Sequence, residues 1–117
     1  MGALLNALEQ IDGRLDVGLT NADLSTRLGD VAVAYNNIPF KKIAPECLLG
    51  VGVPLENAYN EYNKSVNKWD TCINDFYCSV EGAKLAELRG HWSKASKHIT
   101  RAARFLASTK KFMTNSG

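Results

Sequence analysis

Two stretches of this 117-residue chain carry an apolar repeat of seven residues, and that repeat leaves few folds open. Leu55, Tyr59, Tyr62, Val66, Trp69, Ile73 and Phe76 step by 4, 3, 4, 3, 4 and 3 residues. Leu85, Leu88, Trp92, Ala95, Ile99, Ala102 and Leu106 step by 3, 4, 3, 4, 3 and 4. Alternating steps of three and four keep side chains on one side of an α-helix, whereas a half-buried strand needs steps of two. The repeats predict helices near residues 55–77 and 82–107 that pack along one seam. The short connection between them makes them antiparallel neighbours. The small residues Ala95 and Ala102 leave room for large ones such as Trp69 and Tyr62.

The first third of the chain reads the same way. Leu4, Leu8, Ile11 and Leu15 lie on one helix face. Gly13 weakens that helix and Gly18 is placed to end it. A start signal follows: Thr20 can cap, Asp23 sits at the third helical position, and Leu19 with Leu24 can form a hydrophobic staple. Leu24, Leu28, Val31, Tyr35 and Ile38 continue the pattern until Asn36-Asn37 and Pro39 stop it. Residues 1–38 therefore form one helix or two, according to what happens at Gly18. In residues 39–54, Pro45 suits a first helical position and Cys47, Leu48 and Val51 fit a turn or two. Gly50, Gly52 and Pro54 argue for a kink or break. The expected fold is all-α: a single domain over residues 1–117, an up-and-down antiparallel bundle of four helices, with Pro54 a candidate kink and residues 113–117 a frayed tail.

Composition is that of an ordinary globular domain, 45% hydrophobic and 22% charged. The longest apolar runs fall far short of the roughly 20 residues that span a bilayer, so no transmembrane segment is expected. No basic stretch precedes an apolar one at the N-terminus, so an exported protein would have lost a leader ahead of Met1. Net charge is +2, but it is unevenly spread. Residues 1–81 hold 6 Lys/Arg against 11 Asp/Glu, and residues 82–117 hold 8 against 1. The last helix thus faces an acidic surface of its own chain, the reading set slightly ahead, or an anionic partner.

The three cysteines are Cys47, Cys72 and Cys78. Along a helix Cys47 and Cys72 would stand roughly 37 Å apart at 1.5 Å per residue. A bridge needs Cα atoms within about 7 Å. Cys72 and Cys78 can meet if the helix ends near Tyr77 and Cys78 folds back, which leaves Cys47 free and buried. The alternative is three reduced, buried thiols in a cytosolic protein.

No pattern for catalysis stands out. His91 and His98 share a helix face about 10 Å apart, too far to hold one ion at the usual i, i+3 or i+4 spacing. No metal and no cofactor is expected. Cysteines set among apolar heptad residues are usually structural, so no enzyme is expected either. Lys94, Lys97, His98, Arg101 and Arg104 form a basic stripe on the polar side of the last helix, extended by Lys84, His91, Lys110 and Lys111. Such a stripe is either a solvated face or a contact surface for an anionic partner. Nucleic acid is disfavoured, because neither stacking aromatics nor a helix-turn-helix signature accompanies the charge. Tyr59, Tyr62, Trp69, Phe76 and Trp92 could line an apolar pocket, although at heptad spacing they fit packed core better.

One resemblance bears on location. Trp69-Asp70-Thr71-Cys72, then Cys78, then Leu88-Arg89-Gly90-His91-Trp92-Ser93-Lys94-Ala95 and Ile99 resemble a pattern found in small exported helical proteins of actinobacteria. The resemblance runs from Tyr62 to Ala103 and implies an envelope or extracellular site and a disulfide, but no reaction. The leading expectation is a non-enzymatic, secreted or envelope module that binds a protein or an anionic envelope component through the basic stripe. The alternatives are a cytosolic adaptor that binds another helix and a small apolar-ligand carrier.

Overall fold

The computed structural model describes the backbone of residues 2–116, and their side chains except at 16, 17 and 109–116. Four long helices, and no strand, occur among the described residues: α1 (Gly2–Val17), α2 (Asn21–Asn36), α3 (Val53–Ile73) and α4 (Gly82–Ser116). Residues 1–38 are two helices. Gly18, with φ of 117°, takes a left-handed conformation that a side chain would resist, and its N–H bonds back to the Arg14 carbonyl. Thr20 then caps α2, its Oγ1 accepting from the Asp23 N–H at 3.1 Å. The cap bond and the glycine together set the tight joint that lays α2 against α1.

Between α2 and α3 the chain stays helical in most of its length. A 3-10 turn at Phe40–Lys42 is followed by one α-turn at Pro45–Cys47, with Pro45 in the expected first turn. A π-helical segment, Leu48–Gly52, then runs directly into α3. The break expected from Gly50, Gly52 and Pro54 does not occur. Pro54 has no N–H, and a widened turn just before it accommodates that loss without ending the helix. Close packing helps to hold the segment: the Phe105 ring of α4 lies over Gly50, in space that a Cβ would fill.

The helices α3 and α4 form the main hairpin, with α1 and α2 laid against it. Leu4, Leu8 and Ile11 of α1, Leu24, Leu28 and Val31 of α2, and Leu55, Ala58, Tyr62 and Val66 of α3 join Ala95, Ile99 and Ala102 of α4 in one core. Apolar burial of this kind contributes about 25 cal/mol per Å². Tyr62 is wholly buried in this core, as are Ala58, Ala95 and Ala102.

The seam ends sooner than the repeat suggests. Helix α3 stops at Ile73, which is 57% exposed, and Phe76 and Tyr77 are each 93% exposed. Asn74 closes the helix, and the Asp75 carboxylate accepts the Tyr77 N–H at 3.0 Å. Asn and Asp favour such turns because their side chains bond locally in place of the helical ladder. Cys72 and Cys78 then lie at bonding distance, S–S 2.01 Å and Cα–Cα 5.1 Å. Cys47 is free but only partly buried, not buried as expected. Gly82, at φ 53°, turns the chain into α4, which continues to Ser116 through the stretch read as a frayed tail; Gly117 lies outside the described residues.

Candidate functional site

The residues of the basic stripe divide into two groups. Lys94, Lys97, Arg101 and Arg104 are exposed and follow one another at steps of 3, 4 and 3. That spacing sets them on one ridge of α4, away from the core residues Ala95, Ile99 and Ala102. His98 is not part of the ridge. It is partly buried, and its Nδ1 is shut away with no hydrogen-bond partner among the described residues. The side chains of Lys110 and Lys111 lie outside those described.

The first half of α4 spends much of its charge on its own chain, though Arg89 has no ion pair among the described residues. His91 Nδ1 lies 2.6 Å from Glu61 Oε2 of α3, and both side chains are largely buried. Lys64 reaches the same carboxylate at 3.7 Å. Burial pushes the Glu61 carboxyl up, but the His91 hydrogen bond and the charges of Lys64, His91 and Lys94 outweigh it, and the net direction is down. Lys68 of α3 and Lys84 both pair with Glu87. Further along, Lys97, Arg101 and Arg104 have no ion pair among the described residues. Intramolecular neutralisation therefore accounts for only part of the charge asymmetry. The remaining three cations surround a shallow depression of about 420 Å³ floored by Ser96 and Thr100.

The Glu61 pair has a pH consequence. A carboxylate held below its ordinary value of 4.5 contributes stability that is present above that value and is lost as pH falls through the lower, folded one. Thermal melts are expected to show the native chain losing stability below about pH 4.5 more steeply than the Glu61→Gln variant. Equal slopes for the two proteins would refute this role.

A second concavity, about 560 Å³, opens between α1, α3 and α4. Trp69, Trp92 and Leu85 form its apolar wall, and Asp12, Arg89 and Ser96 its polar one. The two indoles pack at 6.0 Å between centroids, tilted by 53°. Trp92 Nε1 donates to Ser65 Oγ at 3.0 Å, and Ser65 in turn donates to the Tyr62 carbonyl at 2.7 Å. This chain of bonds fixes the Trp92 ring. Tyr62 is sealed in the core rather than in the cleft wall, and Phe76 is far outside it in exposure, so the expected aromatic pocket is reduced to its two tryptophans. The half-polar lining suits a wholly apolar ligand poorly.

Sequence reasoning missed the exposure of Phe76, which it placed on the buried seam, and of Tyr77, near which it ended the helix. The signal was present in Asn74-Asp75, a turn-forming pair in the middle of the apolar repeat. No group of three or more His, Cys, Asp or Glu side chains placed to hold a metal ion occurs among the described residues. No described helix is long and apolar enough to cross a membrane. No protein-family model, curated protein or solved structure matches the chain.

Proposed function

We propose that this chain is a non-enzymatic interaction module that works outside the cytoplasm and docks onto an anionic envelope component through the ridge of α4. The observation that carries the reading is the run of exposed cations at Lys97, Arg101 and Arg104, unpaired among the described residues, with Lys94 at its end. Such groups keep their full charge available to a partner, whereas Lys84 and Lys68 are already committed to Glu87. The site outside the cytoplasm is supported by the Cys72–Cys78 bond, because disulfides persist chiefly in oxidising compartments.

The test is binding to anionic liposomes, heparin and cell-wall extract at several salt concentrations. A basic residue at an anionic surface contributes about 1 kcal/mol. The combined change Lys97→Glu, Arg101→Glu and Arg104→Glu is therefore expected to weaken binding at least about 100-fold. Wild-type binding should also fall as salt rises, because exposed charges are screened. Unchanged binding by the reversed variant on all three surfaces would remove the reading.

A further inference from the structure

The hairpin carries two unlike ends that match each other. At the closed end, the loop tied by Cys72 and Cys78 holds Ile73, Phe76 and Tyr77 out in solvent, with the two rings edge-to-face at 5.4 Å. Asp70, Asp75 and Glu81 lie in and beside that loop, and none has an ion pair among the described residues. At the open end, an exposed groove of about 410 Å³ runs between the start of α3 and the later part of α4. Its walls are apolar, with Leu49 71% and Val53 46% exposed beside Pro54 and Phe105. Its rim is basic, formed by Arg101 and Arg104.

We infer that the aromatic, acidic loop of one copy seats in the apolar, basic-rimmed groove of a second copy. Each side exposes large apolar groups that water solvates poorly, and each is flanked by charge of the opposite sign to the other. Loop and groove are separated by the 21-residue length of α3, or roughly 31 Å at 1.5 Å per residue. The molecule is 60 Å long and 24 Å across, and α4 continues past the groove to Ser116. A loop cannot reach the groove of its own chain, and in a head-to-tail pairing of two copies one loop and one groove stay unused. Such a contact is heterologous and propagates head to tail. A loop tip buries little area, so the contact belongs to the small and weak class.

Sedimentation of the full, oxidised chain from about 10 µM to about 1 mM tests this, since weak contacts fill in that range. The average mass should rise with concentration past that of a dimer, and less so at high salt. Phe76→Ser with Tyr77→Ser should abolish the rise, and so should Leu49→Asp with Val53→Asp. All four positions are exposed, so both variants should keep the wild-type melting temperature. Glu81→Lys offers a loop-side change that leaves the aromatic residues untouched, and it should weaken association about 10-fold or more. The decisive arm mixes the two double variants. One retains a loop and the other a groove, so the mixture should form a one-to-one dimer and stop there. A chain that stays monomeric at the highest concentration overturns the inference, as does a mixture that fails to pair or that grows beyond two. Phe76→Ser with Tyr77→Ser lies far from the ridge cations, so with this variant anionic binding and self-association can fail separately.

Discussion

Tyr62→Ala is expected to cost about 3–5 kcal/mol of stability, while Phe76→Ala, two heptads further along the same apolar repeat, is expected to cost less than about 0.5 kcal/mol. Tyr62 is wholly buried between α3 and α4, and removing its ring leaves a cavity walled by residues that already pack closely. Phe76 is 93% exposed and loses almost nothing on truncation. For a chain of this size the first change corresponds to a drop of roughly 12–20 °C in melting temperature. The comparison is informative because the repeat treats both residues alike. Urea or thermal unfolding of the two variants measures it, and a large cost at Phe76 would mean that the seam continues past Ile73.

Breaking the Cys72–Cys78 bond is the second change with a large expected effect. The two cysteines lie 6 residues apart, and closing so short a loop in the unfolded chain is worth about 2 kcal/mol on the chain-entropy account. Reduction is preferable to Cys72→Ser as a test, because Cys72 is only 2% exposed and a serine there would bury a hydroxyl. Calorimetry with and without a phosphine reductant should show a fall of roughly 8 °C. Amide exchange should quicken in residues 72–82 and change little in α1 and α2. Denatured, unreduced protein should titrate one thiol, that of Cys47. Three titratable thiols would remove both the bond and the support it lends to a site outside the cytoplasm.

The site was legible where it depended on helical spacing alone. Lys94, Lys97, Arg101 and Arg104 share a ridge because steps of three and four place them there, whatever surrounds the helix. His98 follows Lys94 by four residues and looked equally suited. Its angular position instead turns it toward the flank of α4, where packing covers its ring. The cation set that stays unpaired could not be read from one helix either. It depended on Glu61 and Glu87 lying within reach of the first half of α4, while no carboxylate among the described residues pairs with Lys97, Arg101 or Arg104.

By itself the sequence determined the helices, their apolar faces and the cap at Thr20, and it left the joint at Gly18 and the pairing of Cys72 with Cys78 as open alternatives. Each of these rests on neighbours within a few residues, where bond geometry and local hydrogen bonding decide the outcome. Only the tertiary structure decided how far the seam runs, that a π-turn carries the chain through Pro54, and that Phe76 and Tyr77 stand in water. These depend on whether another helix is present to cover a face. The unbroken repeat from Leu55 to Phe76 shows the difference: it names a side of a helix, and the packing of α3 against its neighbours determines where that side ceases to be buried.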